Sequence, residues 1–540
     1  MLYFIPAWYK ENEWSESEQY WYIRRARSEF DDTVKHVQLF HRRQAYPFRI
    51  LLFSFAPNFR HFLHRQGVFR APYWSCFDAI QEIRRKKVMN FSYHNLNWPS
   101  KIEFVYSPFV MIARLKGKKY AQAEFGEDGN LIQIDMFQDE QVIRRNIYDD
   151  RGFVGSTIVY ENGVPVYQDY LTDTGVWKIR HFKNDGHVEV NPKCATYLLE
   201  YEKEEYSKKF SKLSYESMEQ VIEEVVNSYL EATDENDLFC AAMHELHIKL
   251  LKKTLKGRKT ILSFFGDRYD IKKHVDDIPI IERADYIITD SEDNLHRLQK
   301  EMGKEFTAIT DITPFDSRVD FGISQQLNVQ KILVPIDGMR EDIFKELIVK
   351  LGEYLGQNEN ARVHLFSRVS NFGRKKEVLE AVRTILRKAG MEEGWAEEEN
   401  NAAGMENRLD ALDTVPIRFF VEQCVDELAV SKCMREQRVM LDMRRNPEVY
   451  MQITCISMGI PQIIYSDTQF VKHMENGMIL KDVDKVGEAL SFYLENLTNW
   501  NEAMVSSYEI GKKYTTEVLI KKWKEVIDFV GRDSNTTIRN

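Results

Sequence analysis

The 540-residue sequence predicts an α/β protein built from two parallel-sheet units, with an antiparallel β-meander inserted into the first. Three observations predict it. Short apolar runs such as 49–55 (RILLFSF) and 331–335 (KILVP) alternate with segments of helical spacing, the pattern of βαβ units with right-handed crossovers. Between Phe104 and Val190 this gives way to closely spaced turns at Asp128-Gly129, Asp150-Arg151-Gly152, Asn162-Gly163, Thr174-Gly175 and Asp185-Gly186, flanked by β-branched and aromatic residues. Near Ser214 the α/β alternation returns.

Taken in order, residues 2–8 form the first strand. A helix over 28–44 follows, with Phe30, Val34, Val37 and Phe40 on one face, then the buried strand 49–55 and a helix over 76–84. No glycine-rich phosphate turn follows the first strand; Trp8, Tyr9, Lys10, Glu11 and Asn12 stand there instead. The meander's aromatics, Phe153, Tyr160, Tyr167, Tyr170, Trp177 and Phe182, read as core, with a platform for a glycan or an unfolded chain as the alternative. An amphipathic helix (217–230), strands at 260–265 and 286–289, and a helix capped by Ser291 complete the first unit. Residues 311–324 read as a connector. The second unit takes strands at 331–335, 362–366, 417–421 and 462–465, a solvated stretch at 392–400, and a helix over 449–458 ending at Gly459. A helix around 470–475, an Asn476-Gly477 turn and a short strand follow, and the helical stretch 500–530 is long enough to cross back. The implied division is a first Rossmann-like domain (1–103 and 201–325), an inserted sheet (104–200), a second Rossmann-like domain (326–500) and a C-terminal helix (501–540).

Composition narrows the function. Lys and Arg number 74 against 84 Asp and Glu, a net charge of −10 with both signs interspersed. That is ordinary solubility charge without the basic stripe of a nucleic-acid binder. Six cysteines without a CxxC pair, several in apolar runs, indicate free thiols in a reducing compartment. The start MLYFIPAWYKENEW has no basic n-region, long apolar stretch or cleavage site, and no run approaches ~18 apolar residues, so a cytoplasmic protein is expected.

Most catalytic chemistries find no support. His244 and His247 share a helix face with Glu245 between them, but a third ligand is missing and the zincin spacing needs one residue more; an ordinary helix surface and no metal are expected. Ser263 and Ser291 follow apolar strands, yet no G-x-S-x-G elbow or GxxxxGK[ST] loop occurs, which disfavours a nucleophilic hydrolase and a nucleotide hydrolase. No cofactor is expected.

The segment 446–480, NPEVYMQITCISMGIPQIIYSDTQFVKHMENGMIL, resembles the donor-sugar segment of retaining glycosyltransferases of the two-Rossmann type. In those enzymes two glutamates with seven residues between them grip the donor's ribose and sugar hydroxyls. The matching positions here, counted back from Gly459-Ile460-Pro461, are Asn446 and Thr454, which cannot carry the charge. The enzymes also place an Arg and a Lys five residues apart after the first strand of that domain, balancing the departing diphosphate. In VPIDGMREDIF, Arg340 falls at the Lys position and the Arg position falls near Pro335.

With the MLYFIPAWY start, the interrupted first unit, IITDSEDNL and DITPFDSR, these features are similar over essentially the whole chain to one family. It is the family of the first accessory secretory protein of Gram-positive cocci, whose partners export serine-rich repeat adhesins. The resemblance implies a GT-B glycosyltransferase-like arrangement of the two Rossmann-like domains without catalysis. It implies a cytoplasmic complex with the second and third accessory secretory proteins, delivering glycosylated adhesin to the accessory motor ATPase and its channel; the export role rests on that resemblance alone. A glycan-coated serine-rich chain cannot bury a core and would be held by many weak contacts. The candidates for those contacts are Arg151, Tyr167, Tyr170 and Trp177 on the insert. In the vestigial donor cleft they are Arg340, Asn446, Tyr450, Gln452 and Thr454, the last four of which read more readily as a packed interdomain seam. Two other readings stand beside this one: an active glycosyltransferase adding sugar to Ser/Thr of the adhesin, and a purely structural subunit. The aromatic-rich turns permit peripheral contact with the inner face of the membrane.

Overall fold

All four side chains of Leu2–Ile5 are buried, so this run can only be an interior strand. In the computed structural model, which describes residues 1–10, 13–16, 20, 30–89, 91–201, 204–369, 371, 373–397 and 415–532, it pairs in parallel with strands on both sides. Glu11, Asn12, the first two positions of the helix expected over 28–44, the end of the stretch 392–400 and the last residues of 501–540 lie outside the described residues. The sheet has seven parallel strands, ordered Ile309–Asp311, Tyr286–Thr289, Lys259–Phe264, Leu238–Ala242, Leu2–Ile5, Phe48–Leu52 and Tyr73–Ser75. Strand order reverses between Leu2–Ile5 and Leu238–Ala242, the kind of switch point where open α/β sheets present ligands. Met218–Leu230 covers one face, with Tyr229 stacked 4.2 Å from Trp74. The last helix, Thr516–Gly531, covers the other through the fully buried Trp523, which meets Phe4, Phe40 and His36.

The inserted sheet is a ten-stranded antiparallel meander, from Ile102–Tyr106 at one edge to Val188–Val190, closed by Ser214–Tyr215. Its turns are set locally: Asn162 and Gly163 have φ of 51° and 79°, the two positive values a two-residue type I′ hairpin requires. Tyr170, Ile179, Val188 and Val190 point inward and share one apolar cluster with Phe55 and Phe77 of the first domain. The meander is thus an extension of that core. A separate hairpin, Thr196–Tyr201 with Glu204–Lys209, packs beside it.

The second sheet has six parallel strands, in the order Phe419–Gln423, Ala361–Ser367, Gln330–Pro335, Gln437–Asp442, Gln462–Ile464 and Gly477–Ile479. Its switch point lies between Gln330–Pro335 and Gln437–Asp442. The helix expected around 470–475 is instead a series of turns. The buried Asn476 explains it: its amide donates to the Phe470 carbonyl (2.9 Å) and accepts from the Lys472 N–H (2.8 Å), giving the backbone an alternative to helical bonding. Gly477 is obligatory, because a Cβ there would overlap the Gln462 carbonyl. Among the described residues no helix is long and apolar enough to cross a membrane.

Candidate functional site: an interdomain cleft

The carboxyl ends of the two parallel sheets face each other across a cleft of about 640 Å³. From the first domain come Phe265, Gly266 and Asp267 after Lys259–Phe264, and Asp290 and Ser291 after Tyr286–Thr289. The second domain supplies Arg444 to Tyr450 after Gln437–Asp442, and Ser466 to Thr468 after Gln462–Ile464. Both walls are strand ends, where parallel sheets expose unpaired polar groups. Phe30, Phe265, Phe315 and Tyr450 form an aromatic floor, with Tyr450 centred 4.9 Å from Phe30 and 5.1 Å from Phe315.

The polar groups are tied down by the chain itself. The Asp290 carboxylate accepts from the Gly266 N–H (2.9 Å) and the Asn294 amide (2.8 Å), and burial pushes its pKa up. Arg297 donates to the Gly266 carbonyl (2.7 Å) and pairs with Asp267. Arg444 forks onto the fully buried Asp442 at 2.9 and 2.7 Å. Arg368 forks onto Glu448 at 3.1 and 2.6 Å and lies 3.9 Å above the Phe30 ring. Arg445 and Lys481 line the cleft as well, but so do Asp293 and Asp467, so its carboxylates at least match its cations. With the amide, hydroxyl and aromatic groups between them, the surface suits an uncharged polyol rather than a diphosphate.

The candidate residues separate sharply here. Asn446, Tyr450 and Gln452 do line the cleft. The Asn446 amide reaches across it to Asp267 at 3.2 Å, and Gln452, buried, donates to the Thr468 hydroxyl at 2.8 Å. Thr454 is a correction: it is buried outside the cleft, one helical turn beyond Tyr450, where its hydroxyl donates to the Tyr450 carbonyl at 2.7 Å. The spacing from Asn446 would suit one helix face, but the helix begins only at Val449, so the two never share a wall. Arg340 is also corrected, since its exposed guanidinium pairs with Asp342 at the start of Glu341–Gln357, away from the cleft. The arginines near the cleft come after other strands, Arg368 after Ala361–Ser367 and Arg444 after Gln437–Asp442. An arginine directly after an apolar run was a usable signal for both.

On the insert, Arg151 and Tyr170 are corrected in the same way. Arg151 is buried at the seam with the first domain, forked onto Asp149 and Asp78. Tyr170 is buried between Phe55 and Phe77, at 5.1 Å from each. Tyr167 and Trp177 are half-buried and flank the Arg180 guanidinium at 4.0 and 5.1 Å, with Asp169 bonding it at 2.7 Å. His247 is no helix surface either: it is fully buried, bonded to the Tyr9 hydroxyl at 3.0 Å and to the Ala242 carbonyl, and burial depresses its pKa to about 3. Among the described residues no group of three His, Cys, Asp or Glu could hold a metal ion.

A family model for accessory secretory protein 1 of the accessory Sec system matches residues 1–529. The chain is 34% identical over 545 residues to the accessory Sec system protein of that family from Streptococcus gordonii, spanning 98% of this chain and 100% of that protein. It superposes on a chain of the crystal structure of accessory secretory protein 1, 2 and 3 in Streptococcus pneumoniae with a TM-score of 0.79 and 29% identity, over 98% of this chain and 99% of that one. The pneumococcal O-GlcNAc transferase GtfA, solved with UDP and GlcNAc, superposes with a TM-score of 0.70 at 10% identity, over 98% and 99% of the two chains. That last likeness is one of fold alone: two Rossmann-like domains in the glycosyltransferase arrangement, with an antiparallel sheet.

Proposed function

The chain belongs to the accessory secretory protein 1 family of the accessory Sec system, and we propose that it serves there as a non-catalytic, glycosyltransferase-like subunit. In this reading it works in the cytoplasm with the second and third accessory secretory proteins. It holds glycosylated serine-rich adhesin and hands it to the accessory motor ATPase and its membrane channel. One observation carries the loss of catalysis. At the two positions where donor-gripping carboxylates are expected stand Asn446, tied to Asp267, and Thr454, turned away from the cleft. Without them a sugar nucleotide loses the charged groups that would grip its ribose and sugar hydroxyls as the diphosphate departs. The solved complex that contains relatives named accessory secretory protein 1, 2 and 3 supports the partners.

Calorimetric titration with UDP-GlcNAc and UDP-glucose, alongside a sugar-release assay, tests this. Neither donor is expected to bind and no sugar to be released; saturable binding with turnover would make the protein an enzyme. The outer face of the insert offers a second holding surface around Tyr167, Arg180 and Trp177. Tyr167→Ala and Trp177→Ala are each expected to weaken adhesin glycopeptide binding roughly fivefold, about 1 kcal/mol of aromatic contact apiece. Tyr170→Phe, inside the core, leaves affinity unchanged. Equal affinity of all three variants and the parent would remove the insert from the holding surface.

A further inference from the structure

We propose that Glu448 bars anionic ligands from the cleft by occupying Arg368 behind its wall, so that the ligand admitted there is an uncharged glycan portion and not a phosphorylated sugar. The inference rests on reading the cleft as a sugar-holding site without donor chemistry, and it names the group responsible.

The arginines are present. Asp337 follows Gln330–Pro335, Arg368 follows Ala361–Ser367 and Arg444 follows Gln437–Asp442, three adjacent strands flanking the switch point of the second sheet. Open α/β sheets place phosphate ligands at such a point. The helix Val449–Met458 begins immediately after Glu448, adding the positive end of its dipole. Arg374 joins the group through a 3.4 Å contact with Asp337, and the Asp337 carbonyl accepts from Arg444 at 3.2 Å. Two donors of this set, Arg368 Nη1 and Arg374 Nε, are buried and find no hydrogen-bond partner among the described residues. Buried guanidinium donors are seldom left unfilled, and the oxygens of a diphosphate are what would fill them.

The carboxylates are present in equal number. Arg368, Arg374 and Arg444 stand against Asp337, Asp442 and Glu448, so the cluster has no net charge to offer an anion. Two of the three acids are built into the fold. Asp442 is fully buried under Arg444, and Asp337 accepts from the Ser367 hydroxyl (2.8 Å) and the Arg368 N–H (2.6 Å). Glu448 differs. It lies on the cleft wall, its side chain is 30% exposed, and it makes no capping bond to the helix it precedes. Its carboxylate grips Arg368 in the bidentate geometry a phosphate would use. Phe30, seated on the guanidinium at 3.9 Å, closes the remaining face.

The test titrates inorganic pyrophosphate and UDP into the full-length protein, its Glu448→Gln and Glu448→Asp variants, and the double variant Glu448→Gln/Arg368→Met. The parent is expected not to bind. Glu448→Gln gains pyrophosphate affinity by at least about tenfold over the parent's detection limit, weakening with added salt. Glu448→Asp, which keeps the negative charge, stays with the parent, and the double variant returns to the parent's behaviour. Pyrophosphate binding by the parent overturns the proposal, as does the absence of any gain in Glu448→Gln with unchanged melting temperature. Adhesin glycopeptide is titrated in parallel and should bind the parent and Glu448→Gln alike. Its failure to bind either would sink the holding function while leaving the pyrophosphate result to stand by itself.

Discussion

Arg151→Met is expected to destabilise the protein by about 3–5 kcal/mol and to loosen the inserted sheet from the first domain. Five charged groups meet at that seam: Arg60 and Arg151 with Asp78, Asp149 and Asp150, every one of them bonded inside the group. Arg151, with 4% of its side chain exposed, gives Asp149 bonds of 2.7 and 2.8 Å and Asp78 bonds of 2.9 and 2.8 Å. Methionine fills the space but leaves the buried Asp149 and the half-buried Asp78 with less than their complement of donors. The pH dependence should change sign with it. In the parent, burial raises the Asp78 pKa but is outweighed by Arg151, which holds the carboxyl below its usual range. A depressed carboxyl contributes stability above its unfolded pKa of about 3.9, lost as pH falls through the folded value. In the variant burial acts unopposed by Arg151, the folded pKa rises, and protonation favours the folded state. The deficit against the parent should therefore shrink from pH 7 to pH 5 in urea unfolding. A loss under about 1 kcal/mol, or one equal at both pH values, would show the seam to be held by its apolar contacts instead.

Trp523→Ala should cost a similar amount, about 3–5 kcal/mol, and free the C-terminal helix from the first domain. The indole is 1% exposed and meets Phe4 at 5.8 Å, Phe40 at 5.4 Å and His36 at 4.9 Å, each edge-on. Its N–H donates to His36 Nδ1 at 3.3 Å. Burial lowers the His36 pKa to about 4, so the ring is neutral at pH 7 and can accept that bond. Removing the indole therefore opens a cavity beside the central strand Leu2–Ile5 and orphans the histidine. Thermal unfolding and limited proteolysis within Thr516–Gly531 report both consequences. Phe529→Ala on the same helix, where the ring is 52% exposed, is the control and should shift the melt little. Equal effects of the two substitutions would mean that the helix is held along its length and not by Trp523.

The sequence by itself determined the features whose causes are local. Positive-φ turn pairs such as Asn162-Gly163 impose a meander whatever surrounds them, and apolar runs between helical segments impose parallel units. The absence of glutamate at Asn446 and Thr454 was legible as residue identity. Tyr167 and Tyr170, three apart in one strand, had to face opposite ways, so both could never have joined one platform. Only the tertiary structure decided which face was covered, because alternation separates two faces without saying which one meets the core. Arg151 and Tyr170 lie on the covered side, and Tyr167 with Trp177 on the other. The interior strands Leu238–Ala242 and Gln437–Asp442 were not legible because runs such as LFCAA and QRVMLD are short and carry few β-branched residues. The state of the cleft was equally out of reach. Arg368 and Glu448 are eighty residues apart, and neither shows in sequence that the other will neutralise it. Charge in a site is a property of pairs brought together by the fold, and the pairing exists only once two strand ends and a helix start have converged.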